Sequence, residues 1–573
     1  MLPIRAVSTR SAHLVLSHRC RCLASRGFIL PPRLSKSFRK YFRASERYSY
    51  AATSSLAAAA LALVSAVTTA TVALEGVDDA ESSTATDTCK DPTSIGVTDF
   101  LHFLNSHGVS ISQPADGQHG SKFCITNKQG KGSAAMLNDP SAYTDDEVVA
   151  TIPQNIIIDI DTLQDEDGPA SPYFRDWLRE KLADEKDGPL LTERRVLMLY
   201  YLCEGHTSPY LRTFPRLPTN EDAHDESTFP TKDDDATSRA PIPPLFWPKE
   251  ERQRLLHDTE IDMPLVAKEK ALRGEWENCI HRWLVELKSL ENDNNTAATN
   301  AVGFRDFCWA DSLFWTRVLK YKNQGFAASY HWVPLVDACN HSYAPTCYWE
   351  SDAVGNVHLR TKVESGVEEA APIGPIELCY TYGEKSNAEL LFSHGFCVDN
   401  NPNECVTWSL LEKDSALTDT KSRLLRALQL QPRISMHRLS QEFDFGANAL
   451  RRFDLLSIYV LFILVLEDDE IACGYETGGD GPFFVCQVKG ATDSKMRIKT
   501  YDDFEEFCDE QCDALMPRVL LFLDELIDYK MQGIRETTCY RALLFPDAPM
   551  SSREGFVRQL LHYQLKLLSE LRH

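Results

Sequence analysis

Val333-Pro334-Leu335-Val336-Asp337-Ala338-Cys339-Asn340-His341-Ser342, followed further on by Glu377-Leu378-Cys379-Tyr380-Thr381-Tyr382-Gly383-Glu384-Lys385-Ser386-Asn387-Ala388-Glu389-Leu390-Leu391, is the part of this sequence on which the fold turns. The first run is an apolar strand end that delivers an amide and an imidazole side by side, groups that donate and accept in several directions. By itself it reads more simply as an Asx turn capped by Asn340, with His341 satisfied in a core. In the second run Tyr380 and Tyr382 lie two apart, so on a strand both rings project from one face. Gly383 permits a tight turn, and Ser386 is placed to begin a helix. Two strand tyrosines alone are again more simply core residues with a wet hydroxyl. A third segment, His394-Gly395-Phe396 with Asn400-Asn401-Pro402, follows closely.

Outward from these segments the pattern is mixed. Residues 97–104 read as a short amphipathic helix stopped by Gly108. Val148–Ile152 and Ile156–Ile158 are apolar, β-branched and separated by Pro153, which predicts two strands. From Ser171 to about Leu287 the periodicity is helical and looks like an insertion into a β domain, with acidic loops expected at 219–240 and 291–300. A helix is expected over Asp306–Lys320, and long apolar helices dominate after about Val406. Among them, Leu455–Leu466 spans 12 residues, enough for a buried core helix and too short to cross a bilayer.

Taken together, the Pro-Leu-x-Asp-x-x-Asn-His-Ser, Tyr-Gly-x-x-Ser-Asn-x-Glu-Leu-Leu and Gly-Phe-x-x-x-Asn-Asn-Pro strings resemble the SET domain, and more narrowly the Rubisco large-subunit methyltransferase-like branch of SET proteins. The resemblance runs from about Ile95 through the C-terminal helices. Ser208-Pro209-Tyr210-Leu211, Pro244-Leu245-Phe246-Trp247 and Phe307-Cys308-Trp309-Ala310-Asp311-Ser312 support it. It implies an α+β fold: a SET β core over 94–402, interrupted by a helical insertion at about 171–305 and followed at 403–573 by an all-α substrate-binding domain.

The same resemblance implies S-adenosylmethionine as cofactor, bordered by Asn340, His341 and the Gly130-Lys131-Gly132 turn. Tyr382 would be the catalytic tyrosine and also touch the cofactor. Arg317, Leu319, Tyr380 and His394 would lie on the substrate side, and no metal is implied. Two departures stand out: Ser133 where the family more often has Leu, and His394-Gly395-Phe396 where many relatives have Tyr-Gly-Phe. The implied activity is methylation of a lysine side chain on a protein partner. The alternatives are histidine methylation on the same scaffold and a catalytically silent SET module. Apolar Val318 and Leu319 suit an aliphatic lysine stem better than an imidazole.

Charge and composition narrow the partners. The 573 residues carry a net charge of −23, which argues against a nucleic acid partner, because duplex binding needs a basic face. The asymmetry is steep: residues 1–47 hold eleven Lys or Arg and one acid, Glu46, leaving −33 on the rest. An Arg- and Ser-rich, acid-poor leader over 1–50 is the composition of an organelle transit peptide, mitochondrial rather than plastid. Ala51–Leu74 is uncharged for 24 residues, so it is either a membrane anchor or a sorting segment that is removed. A linker at 75–93 follows. Seventeen cysteines, mostly isolated and odd in number, indicate neither a disulfide framework nor a zinc site. A monomer is expected.

Overall fold

The computed structural model describes residues 100–111, 123–128, 132–137, 145–215, 241–257, 259–292, 302–322, 328–362, 375–410, 417–438, 452–475, 482–489, 495–537, 540 and 553–570. The expectations for the leader, for the 51–74 span, for the 75–93 linker and for the loop at 219–240 lie outside these residues. Among the described residues no helix is long and apolar enough to cross a membrane.

A short helix at residues 100–106 ends at Gly108, whose φ of +75° turns the chain into β1 (Ser110–Ile111). The hairpin of β2 (Phe123–Lys128) and β3 (Gly132–Leu137) closes on a Lys128↔Gly132 pair. β4 (Val148–Ile152) forms as its β-branched composition predicts, but the second expected strand does not. Gln154–Ile156 is a 3-10 turn behind Pro153, and only Ile158 keeps a bridge, to Trp332. The three isoleucines are all buried, so their apolar run records depth in the core rather than extension.

The chain then becomes helical. α1 (Pro172–Ala183) and α2 (Glu193–Glu204) start at Ser171 and Thr192, whose hydroxyls accept from Phe174 and Arg195 N–H groups. α3 (Lys249–Leu256), α4 (Asp262–Glu275) and α5 (His281–Asn292) follow, and α6 (Phe304–Arg317) ends where β5 (Val318–Lys322) begins, three residues before the expected helix end. Arg194 joins Asp311 and Glu275, and Lys268 reaches Asp311 at 3.0 Å, which locks α2, α4 and α6 together. A buried ionic cluster of this kind is stable because each carboxylate has opposite charge and donors around it.

Strands return with β6 (Ala328–Trp332), β7 (Asn340–His341), β8 (Cys347–Ser351), β9 (Val357–Thr361), β10 (Ile376–Glu377) and β11 (Cys379–Tyr380). They build small sheets in the orders β1-β4-β9-β8, β10-β3-β2, β5-β6 and β11-β7, all antiparallel except the last. These strands and the helices α1, α2, α5 and α6 share one hydrophobic core that runs from Phe100 to Tyr380.

α7 (Asn387–His394) leads out of this core into a second one. The C-terminal part is not all helical, contrary to expectation. Among its described residues, α8 (Asp419–Ala427), α9 (Leu455–Val465), α10 (Tyr501–Glu536) and α11 (Arg553–Ser569) are joined by β12 (Cys405–Ser409) paired with β13 (Arg433–His437), and by a β14-β15-β16 sheet at Ile471–Tyr475, Pro482–Cys486 and Met496–Ile498. The helices carry long, strongly periodic runs, whereas each strand is five residues or fewer, too short to assert itself against them in the sequence. α9 is buried from Ser457 to Leu464, as its composition requires, with Leu456 exposed at its start.

Glu404 is buried between α7 and β12. Its carboxyl accepts from the Asn387 side chain at 2.7 Å and backbone N–H at 3.3 Å, and from Cys405 N–H at 3.2 Å. Burial raises its pKa from 4.5 to about 8, with Glu260 nearby adding to the rise. A carboxyl whose folded pKa is raised contributes stability that is full below the unfolded value and drains away as pH climbs to the folded one. Unfolding monitored between pH 4.5 and 8 should therefore show stability falling with pH, and Glu404→Gln should flatten that slope. An unchanged slope in Glu404→Gln would show that this carboxyl does not titrate.

Candidate active site

The site is assembled where two chain segments lie parallel. β7 pairs with β11 in register Asn340↔Cys379 and Tyr380↔His341. Ser342 N–H donates to Tyr380 O at 3.1 Å, Thr346 N–H to Cys379 O at 2.9 Å, and the Thr346 hydroxyl to Glu377 O at 2.7 Å. The 340–346 segment is thus laced along the 377–380 strand, and the strand itself enters by pairing with β3 through Ile376↔Leu137 and Glu377↔Met136.

Asn340 is buried and donates from Nδ2 to Glu377 Oε1 at 2.7 Å. His341 is buried, its Nδ1 accepts from Tyr382 N–H at 3.0 Å, and burial lowers its pKa to about 4, so it is a neutral ring at working pH. That hydrogen bond also fixes the tautomer, with Nδ1 as acceptor. Tyr382 stacks on His341 with centroids 5.1 Å apart, and Tyr380 meets Tyr382 edge to face at 4.7 Å. The two tyrosine rings do meet as their spacing predicts, although β11 ends at Tyr380 and Tyr382 lies just beyond it. Tyr380 is buried, and its phenol is held well above its usual pKa by burial.

The Tyr382 hydroxyl donates to the Cys339 carbonyl at 2.5 Å. With its proton committed to that carbonyl, the phenol oxygen can meet another donor only as an acceptor. The Cys339 carbonyl is delivered by a strained turn. Leu335 is fully buried at φ +77°, ψ −46°, outside the ordinary regions for a branched side chain, and the 3-10 turn Val336–Ala338 follows. Gly383 has φ +101°, and a Cβ there would meet only the end of the Lys385 side chain at 3.8 Å, so this backbone is open to close approach.

The remaining expected residues fall in different places. Gly130 and Lys131 lie outside the described residues, and Gly132 opens β3 beside them. Arg317, the last residue of α6, is committed inside the protein: its guanidinium meets Asp337 Oδ2 at 3.0 Å and lies 4.8 Å over the Phe214 ring. Leu319 is buried in β5 opposite His331. His394 is buried at the end of α7, its ring 5.8 Å from Phe396. Gly395 after it is left-handed at φ +84°, and a Cβ there would strike the Ile242 carbonyl oxygen at 2.2 Å, which explains the Gly-Phe signature as packing. Asp337, Cys339, Glu377, Tyr343 and Lys385 also belong to the site's framework. All but Tyr343, which follows Ser342 directly, lie inside the quoted runs, but a main-chain carbonyl acceptor and a cross-segment carboxylate carry no sequence signature of their own.

If buried Asn340 contacts S-adenosylmethionine, Asn340→Ala should weaken its binding, since a ligand group left without that partner costs about 1–3 kcal/mol. For S-adenosylmethionine this corresponds to a rise of about 5- to 150-fold in Kd. Isothermal titration of the folded variant measures it, and an unchanged Kd would place the cofactor elsewhere.

A parallel pairing of two short strands beside a tyrosine-bearing turn, set among small antiparallel sheets, defines the SET-type fold. Three of the solved structures it is similar to are of LSMT. The crystal structure of the SET domain of LSMT bound to lysine and AdoHcy matches at TM-score 0.51 and 13% identity, over 84% of this chain and 91% of that one. The structure of Rubisco LSMT bound to AdoMet, and the crystal structure of the SET domain of LSMT bound to methyllysine and AdoHcy, each match at TM-score 0.51 and 14% identity, over 83% of this chain and 90% of theirs. Comparison of the sequence with protein-family models and with curated proteins returns no match.

Proposed function

We propose that the protein is an S-adenosylmethionine-dependent methyltransferase that modifies a lysine side chain on a protein partner. One observation carries the reading: the Tyr382 hydroxyl, held on the Cys339 carbonyl and stacked on neutral His341, presents a fixed acceptor beside an open glycine backbone in a SET-type fold. The residues present fit the cofactor. Gly383 leaves space for close approach, Asn340 offers an amide tied to its neighbour, and the aromatic faces of His341 and Tyr382 suit a cationic sulfonium. When bound, S-adenosylmethionine supplies an electrophilic methyl group.

The chain's own residues must then supply orientation and desolvation. A free lysine of pKa about 10.4 is neutral only about once in 2,500 at pH 7, a deficit of roughly 4–5 kcal/mol. Tyr380, buried beside Tyr382, adds apolar ring surface there, and such surroundings would disfavour an ammonium form. Tyr382 accepts from the amine and so aims its lone pair, and holding the amine in line with the methyl removes much of the entropic barrier.

Calorimetry with S-adenosylmethionine tests the first half of this reading, and binding is expected. A folded protein that takes up no heat would leave only the silent module. An organelle address for the leader rests on its composition, and fusing residues 1–90 to a fluorescent protein tests it. Organelle fluorescence is expected, and a diffuse signal would remove that address.

A further inference from the structure

We propose that Tyr343 is a positioning residue for Tyr382, acting by clamping the turn that follows it; the proposal rests on the methyltransferase reading above. The segment before Tyr343 holds Tyr382 at three points: its N–H donates to His341, its hydroxyl donates to the Cys339 carbonyl, and its ring stacks on His341, while its edge-to-face contact with Tyr380 comes from its own chain segment. On its other side is Gly383-Glu384-Lys385, a turn opened by a left-handed glycine with space over its backbone. A glycine of this kind resists rotation less than any other residue.

The turn is held beyond its own Gly383 N–H bond to Thr381 by the Lys385 carbonyl. It accepts from the Tyr343 hydroxyl at 2.7 Å and from Asn401 Nδ2 at 2.9 Å, immediately before Ser386 caps α7. The two donors are not equivalent. Asn401 is fully buried and reaches Asn387 as well, so it serves the corner between α7 and β12. Tyr343 instead meets the His341 ring edge-on, with centroids 4.4 Å apart. One side chain therefore ties the turn after Tyr382 to the imidazole that holds the Tyr382 N–H. The hydroxyl couples the turn to that imidazole, and the ring alone would keep the packing.

Tyr343→Phe removes the hydroxyl and keeps the ring, while Asn401 still satisfies the Lys385 carbonyl. The measurement is the rate of tritium transfer from saturating labelled S-adenosylmethionine to an organelle extract, for wild type, Tyr343→Phe, Tyr382→Phe and the double variant. A misplaced catalytic group costs up to about 10²-fold, so Tyr343→Phe should lose about 10- to 100-fold in rate. Its calorimetric Kd for S-adenosylmethionine should stay within about twofold and its Tm within about 3 °C, as for loss of one neutral hydrogen bond whose acceptor keeps a second donor. Because Tyr343 acts through Tyr382, the double variant should be no slower than Tyr382→Phe alone. A wild-type rate in Tyr343→Phe, or losses that multiply in the double variant while wild type is active, would overturn the proposal alone. Wild type transferring no label would overturn the methyltransferase reading and this proposal with it.

Discussion

Tyr382→Phe is expected to slow methyl transfer by about 10²- to 10⁴-fold, the range for a positioned acid–base or orienting group. The substitution deletes one oxygen and keeps the ring that stacks on His341 and meets Tyr380. What is lost structurally is a single hydrogen bond to the Cys339 carbonyl, worth about 0.5–1.5 kcal/mol. Stability should thus fall slightly and the rate steeply, a combination that ordinary packing does not produce. Tyr380→Phe is the control. Its ring is equally close, yet its hydroxyl is not the one fixed on Cys339, so its rate loss should be the smaller. Rates and melting temperatures of both variants decide the matter, and equal losses would remove the assigned role.

Arg317→Ala should destabilise the fold by about 3–5 kcal/mol, because it strands a buried carboxylate. Asp337 has a side chain only 2% exposed and is paired with Arg317 at 3.0 Å. Burial already raises the Asp337 pKa, with Arg317 opposing the rise. Without the guanidinium that rise grows. A carboxyl with a raised folded pKa loses its contribution as pH increases from its unfolded value, so the deficit of Arg317→Ala should be larger at pH 8 than at pH 5. Chemical denaturation at the two pH values reads this directly. If Arg317 instead serves only an incoming substrate, stability will stay at the wild-type level and KM alone will rise.

Those two residues illustrate what the sequence could and could not convey. The local frame around Tyr382 was legible because a strand, a glycine turn and a helix cap follow one another in a short run, and each has a residue signature. The Arg317–Asp337 pair was not, because Asp337 lies twenty residues away across the β5-β6 hairpin and no spacing rule announces an ion pair between them. The same physics separates the successes and failures in the fold. Helices such as α9 and α11 announce themselves by length and period. The short strands β12 to β16 do not, and Ile156–Ile158 imitated a strand because a buried 3-10 turn is as apolar as a buried strand. The strain at Leu335 is invisible in composition altogether, since no rule would place a leucine at positive φ.

The central claim is that this fold moves a methyl group from S-adenosylmethionine to a lysine on a protein. It is tested most directly by incubating the chain from about residue 90 with an organelle extract and labelled S-adenosylmethionine, then identifying the modified residue by mass spectrometry. The account predicts label on a lysine side chain, abolished or strongly reduced in Tyr382→Phe. Label on histidine, or none from a folded protein, would contradict it.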